Sequence, residues 1–299
     1  MTNPATPLGG GRGQAAISSD VAAFGTYALP PAMEKLRRLS QRLGRGPVAR
    51  RACSLIRRVV SAGRAGPFDV EAFPGQRARL YPSENLSDKR VFAGVQFWDS
   101  VERAALGRAV RDADEPVYFV DAGANAGLYT LAVRAEAREK LLRIIAIEPD
   151  PENLERLRFN LSASGVGDGV QVFAAALSDA EGETHIASSH ANRGELTIGE
   201  TGTRVAMRPL LDIVREAGFP RVDALKIDIE GMELPVLTHF IEHADPALWP
   251  AVIILEAQRD EVTPALSYMN GVGYEVSERT RMNVVLHRTA TAGKGNGHG

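Results

Sequence analysis

Apolar runs of strand length recur along the chain, each followed by a turn signal and then by apolar positions at helical spacing. Residues 117–120, VYFV, are the first such run. They lead through the small-residue turn Asp121-Ala122-Gly123-Ala124-Asn125-Ala126-Gly127 into a helical pattern over 128–138. Residues 142–147 are the second run, closed by Glu148-Pro149 ahead of a helix carrying Leu154, Leu157 and Leu161. Residues 170–173 are the third and run into small residues around Ala176 and Leu177. Residues 222–229, VDALKIDI, are the fourth, with a helix expected from Met232, and residues 251–256 are the fifth. Residues 274–276 and 282–287 read as a closing pair. Strands alternating with helices predict an α/β domain with a mostly parallel sheet and helices on both faces. Residues 184–187 and 204–207 alternate like strands around a polar, glycine-bearing stretch, which predicts a hairpin or small flap after the third strand. A helix from Pro209 or Asp212 to Gly218 follows.

Ahead of this pattern, residues 75–110 read as a strand, a turn and helices. Phe97, Trp98 and Asp99 there belong either to a lid over a ligand pocket or to the core. Residues 31–62 read as two helices around Gly44-Arg45-Gly46-Pro47, with apolar stripes at Met33, Leu36, Leu39 and Leu43 and at Leu55, Ile56, Val59 and Val60. The resulting division is a disordered lead-in over 1–30, a basic helical arm over 31–74, a main domain over 75–288 and a disordered tail over 289–299.

Strand, glycine turn, helix is the first half of a nucleotide-binding unit. A dinucleotide fingerprint would put its first glycine where Asp121 stands, and a carboxylate there repels a pyrophosphate. An acid at the strand end suits a cationic amino-acid group instead, such as that of S-adenosylmethionine. Gly123 and Gly127 let backbone approach a ligand closely. Glu148 lies 21 residues beyond Gly127, a spacing that suits an acid holding ribose hydroxyls, although it equally suits an acid at a helix start. The small residues at Ala176 and Leu177 leave room for an adenine ring read by backbone groups. Asp228 and Glu230 emerge at the fourth strand's C-terminal end, where open α/β sheets bind ligands. Glu230 is expected to begin a helix, whose field favours its anion, and Asp228 to be the acid with the raised pKa. Lys226, inside an apolar strand, needs a partner, and Asp121 and Asp228 are the candidates.

Charge divides the molecule. Residues 1–66 hold 11 Lys/Arg against 2 Asp/Glu, and residues 67–299 hold 24 against 35. A basic arm joined to an acidic body argues against nucleic acid as a partner. The arm over 31–66 is either a peripheral contact for an anionic membrane or a solvated helical pair packed on the body. The one cysteine, Cys53, allows no intrachain disulfide, and no run approaches the ~18 apolar residues of a membrane span. The first residues lack the basic-then-apolar order of a secretory signal, so a cytoplasmic location is expected.

Three stretches together, VDAGANAGLYT, IEPDPENLERLRFN and LKIDIEGMELPVL, resemble the FkbM-type family of S-adenosylmethionine-dependent methyltransferases. The resemblance covers about residues 75–288 and implies a class I methyltransferase fold, a seven-stranded, mostly parallel sheet with one reversed strand. It implies S-adenosyl-L-methionine as cofactor and O-methylation of a hydroxyl on a sugar, glycan or natural-product acceptor. Carried across, Asp121, Gly123, Asn125 and Gly127 hold the methionine part, Glu148 holds the ribose, and Asp228 and Glu230 face the acceptor. Removing the acceptor's proton falls to those two carboxylates, with His185 and His190 as rival bases. The two could instead bind a divalent metal with Glu256 as third ligand, but no compact ligand motif assigns one. The competing readings are an NAD-dependent oxidoreductase and a non-catalytic binding protein on the same fold.

Overall fold

Pro31 and Pro47 each stand at a helix's first turn, where a missing N–H costs nothing, and open α1 (Pro31–Ser40) and α2 (Pro47–Ser61). The computed structural model describes residues 21–188, 196–199, 202–258 and 261–289. The two helices pack on each other and on α3 (Leu86–Gly94), beside the hairpin of β1 (Phe68–Phe73) and β2 (Gln76–Leu80). Buried Arg37 of α1 makes two hydrogen bonds to Glu34 and a third to the carbonyl of Glu71, which fixes the arm to the hairpin. Of the apolar positions in the arm, Val60 is buried, and Ile56, Met33 and Leu36 pack against the core. Leu39, Leu55 and Val59 stay exposed, and Val48 is 81% exposed.

Two expected boundaries move. Residues 21–30 fall within the expected disordered lead-in, but buried Asp69 accepts the backbone N–H groups of Gly25 and Tyr27. Arg79, paired with Asp69 at 2.7 Å, donates to the carbonyl of Ala23. A buried ion pair of this kind must have its remaining hydrogen-bond capacity filled, and residues 23–27 fill it. The arm-to-domain boundary at 74/75 falls inside the β1–β2 turn, with Phe73 facing Gln76 across it. Charge composition changes along the chain without regard to strand pairing. Residues 1–20 and 290–299 lie outside the described residues, and Thr289 is bonded to the carbonyl of Gly273.

The main sheet follows α4 (Ser100–Asp112). The chain runs β3 (Val117–Ala122), α5 (Leu128–Ala137), β4 (Leu142–Ile147), α6 (Pro151–Ala163) and β5 (Val170–Phe173) to one side. It then makes β6 (Ala176–Ser178), β7 (Gly182–Ser188), β8 (Leu196–Gly199), β9 (Thr203–Pro209) and α7 (Leu210–Glu216). On the other side it lays down β10 (Ala224–Ile227), α8 (Glu233–His243), β11 (Val252–Glu256) and α9 (Pro264–Gly271). It closes with β12 (Tyr274–Arg279) and β13 (Asn283–Arg288). The strand order is β12-β13-β11-β10-β3-β4-β5. β13 alone is reversed, pairing antiparallel with both neighbours. One face carries α4, α5 and α6 with Leu106, Leu131 and Leu157, and the other carries α7, α8 and α9 with Leu211, Leu237 and Leu266. Helices on both faces bury both sides of the central strands, which is why they read as continuous apolar runs.

The expected flap is larger than a hairpin. β7 pairs with β8 and β9, and β9 also pairs in parallel with β6, giving a second sheet ordered β6-β9-β7-β8. His185 lies on β7, and His190 lies outside the described residues.

Candidate active site

Chain direction away from β3 reverses between β4 and β10, so the C-terminal ends of these strands open a crevice. A cavity of about 260 Å³ lies there. Its wall includes the turn after β3, Glu148 after β4, Ala176 and Leu177 of β6, Asp228 and Glu230 after β10, and Glu256 at the end of β11. Asn85, Arg90, Trp98 and Asp99 close it from the α3–α4 side.

Asp121 does not reach this cavity. It has 0% accessible surface, and one carboxylate oxygen accepts both the N–H and the hydroxyl of Thr130, at 3.0 and 2.7 Å. It thereby serves the first turn of α5, whose N-cap Gly127 has no side chain to do so. Burial raises its pKa against the pull of Lys226, and its other oxygen has no hydrogen-bond partner. The expectation that Asp121 contacts a ligand directly is corrected to a supporting position beneath the turn. Lys226 sits opposite it in the β3–β10 register. The lysine's Nζ donates to the carbonyl of Gly123 at 2.8 Å and lies 3.4 Å from Asp228. Burial pulls the lysine's pKa down, but Asp228 and Asp121 outweigh it and leave it raised.

The two glycines are required by the protein's own packing. A Cβ on Gly123 would stand 1.9 Å from the backbone oxygen of Asp228, and Gly123 also has φ +74°. Gly127, at φ +84°, faces the side chain of Leu157. Between them Asn125, at φ 51°, donates its N–H to Glu148 at 2.7 Å, and its side-chain oxygen accepts from Asn85 at 3.1 Å. This loop is therefore tied to β4, to α3 and to the residues after β10 at once.

Glu148 is buried at the cavity's edge. It accepts from the N–H groups of Asn125 and Asp150 and from the Asn153 amide, yet burial pushes its carboxyl up to about 7. At the other side, Glu230 has φ 56° and precedes α8 by three residues, so it does not begin that helix. Glu233 occupies the first turn and accepts the N–H of Ile229. A second acid with strongly raised proton affinity is Glu256. Burial and the neighbouring charge of Asp228, to which it is hydrogen-bonded, push it up to about 8. Sequence reasoning reached Glu256 only as a metal ligand. The signal was present, since each of the strands β3, β4, β10 and β11 runs out at an acid: Asp121, Glu148, Asp228 and Glu256. Among the described residues no three His, Cys, Asp or Glu side chains come together as a metal site.

Trp98 is buried and packs on Tyr129 at 4.9 Å, and the Tyr129 hydroxyl donates to Asp99 at 2.9 Å. Asp99 is raised in pKa by burial and by Glu102. The FWD stretch thus contributes both core and wall. No described helix is long and apolar enough to cross a membrane.

A seven-stranded sheet of this order, with one reversed strand and a cavity over its central strand ends, defines the class I methyltransferase fold. The chain belongs to the Methyltransferase FkbM domain family, which matches residues 121–276. Methyltransferase sdnD of Sordaria araneosa is 29% identical over 154 residues, covering 40% of this chain and 59% of that protein. AMB antimetabolite synthetase AmbE of Pseudomonas aeruginosa is 29% identical over 206 residues, covering 54% of this chain and 10% of that protein. The chain thus spans less than two thirds of either relative. The solved structure of methyltransferase FkbM from Methylobacillus flagellatus aligns with TM-score 0.42 at 17% identity, over 86% of this chain and 58% of that one.

Proposed function

We propose that this chain transfers a methyl group from S-adenosyl-L-methionine to a hydroxyl oxygen of a sugar, glycan or natural-product acceptor. The observation that carries the reading is Glu256 with its proton affinity raised beside Asp228, at the mouth of a cavity over the central strand ends. The cavity's chemistry fits the cofactor. With three of its about four lone-pair sites taken by Asn125, Asp150 and Asn153, Glu148 keeps one acceptor position for a ribose hydroxyl. Ile147, Ala175, Leu177 and Ile186 offer apolar walls to a flat ring. Asp99 and Asp228 supply negative charge for a cationic amino-acid end. When bound, the cofactor supplies a methyl group already activated on a sulfonium.

What is left to the protein is alignment and proton removal. Glu256, at about 8, is matched to accepting a hydroxyl proton near neutral pH. Asp228 supports it by making its anion less stable, and Lys226 holds Asp228 in place. Asp121 acts from below, fixing Thr130 and the start of α5. Glu230 faces the cavity from the exposed turn before α8 and is assigned to acceptor contact. Titrating the full chain calorimetrically with S-adenosylhomocysteine and with NAD tests the reading. Saturable binding of the first and none of the second is expected. NAD binding without S-adenosylhomocysteine binding would sink it.

A further inference from the structure

A second hollow of about 480 Å³ adjoins the first and shares Leu86, Arg90, Asp99 and Met282 with it. Its walls come from α2, α3, the start of α4 and the turn between β12 and β13. Five cations line it: Arg50, Arg57, Lys89, Arg90 and Arg281. None of their side chains makes a hydrogen bond or ion pair with a described residue, and Arg50 only lies over the ring of Phe97. Two acids, Asp99 and Glu102, face these five cations, and Asp99 already lies in the field of Arg90. Asp99 accepts from Tyr129, and Glu102 accepts from Thr280 and Asn283. The hollow therefore carries unbalanced positive charge beside the proposed proton acceptor.

We propose that this hollow anchors the methyl acceptor, and that the acceptor bears a phosphoryl or pyrophosphoryl group. The inference rests on the reading of the neighbouring cavity as the S-adenosylmethionine site. A carboxylate would balance one of these charges. A phosphoryl group carries close to two, and its three oxygens match the forked donors of arginine. The shared wall at Arg90 and Asp99 joins the anchor to the mouth where Glu256 and Asp228 stand. The carrier is a soluble molecule. Arg50, Ser54 and Arg57 face the hollow, whereas Val48, Leu55 and Val59 come out about half a turn around α2. A lipid tail lying along that apolar stripe would carry its headgroup away from the hollow.

The test is calorimetric titration of the full chain with inorganic pyrophosphate, and separately with S-adenosylhomocysteine. The double variant Arg50→Gln/Arg57→Gln is compared with Arg51→Gln/Arg58→Gln, which removes the same charge from α2 outside the hollow. The first should weaken pyrophosphate about tenfold or more, as loss of charged hydrogen bonds does, with S-adenosylhomocysteine affinity unchanged. The second should leave both affinities near wild type. Equal weakening by the two doubles would show attraction to the arm at large and overturn the site. Wild-type protein that binds S-adenosylhomocysteine but not pyrophosphate would also overturn it. Failure to bind S-adenosylhomocysteine would count instead against the cofactor reading.

Discussion

A carboxylic acid is useful as a base only if its surroundings hold its proton affinity near working pH, and Glu256 and Glu148 reach that condition by different routes. Glu256 is raised by burial together with the Asp228 charge, so its activity depends on its neighbour. Methyl transfer should rise with pH and level off above about 8. Glu256→Gln should lower turnover ~10²-fold and abolish this rise, with S-adenosylhomocysteine affinity retained. Asp228→Asn should move the rise to lower pH, because the charge that opposes Glu256 ionisation is gone. An unchanged pH profile in both variants would place the proton acceptor elsewhere. Glu148 is raised by burial, with a smaller push from the Asp150 charge, against three donors. Its folded value of about 7 exceeds the model-compound value of 4.5, so ionisation costs the folded state stability. The stability contribution is complete below about 4.5 and is lost as pH rises through 7. Melting scans from pH 5 to 8 should therefore fall more steeply for wild type than for Glu148→Gln, and parallel slopes would refute the assignment. Glu148→Gln should also weaken S-adenosylhomocysteine by more than ~1 kcal/mol in the same preparations. Asp121 was misplaced by sequence reasoning for a simple reason. A strand-end acid can turn outward to a ligand or back onto the following helix, and only the position of Thr130 decides which.

At the scale of elements, the turn between β3 and α5 is held by contact with the segment leaving β10, where Gly123 meets the backbone of Asp228. Any side chain at 123 must push these two strand ends apart. Gly123→Ala combines that clash with a strained φ and should cost ~3 kcal/mol or more, read as a fall of roughly 10 °C in melting temperature. Because the same displacement moves Asp228, S-adenosylhomocysteine binding should fail as well. A variant that melts within 2–3 °C of wild type would show that the contact relaxes freely. Elements were legible in the sequence where burial on both faces wrote an unbroken apolar run, as in β3, β4 and β11. β1 was not, because Asp69 and Glu71 interrupt it and Asp69 is buried by pairing with Arg79 rather than by apolar character. Two of the flap's four strands were hidden as well, β8 inside the stretch read as polar and glycine-bearing and β6 by its shortness. β6 is three residues long and gains its identity only by pairing with β9, more than twenty residues on.

Across the whole molecule, charge and apolar exposure coincide on the arm. Val48, Leu55 and Val59 are exposed on α2 beside Arg51 and Arg58, the composition of a segment that rests on an anionic surface. Full-length protein should sediment with phosphatidylserine vesicles at low salt and be released as salt rises. Val48→Asp/Leu55→Asp should remove most of this binding without affecting S-adenosylhomocysteine, and equal sedimentation would leave the arm a purely structural part. The sheet order has a further consequence, for synthesis. β12 has no partner except β13, and β13 must insert between β12 and β11. Whenever Val252–Glu256 has joined the sheet and β13 has not yet paired with it, that strand stands as an open, apolar edge. The last hairpin enters as one piece and closes that edge. A nascent chain stalled or cut before residue 283 is therefore expected to be sticky, and a chaperone that shields strand edges should act at this point.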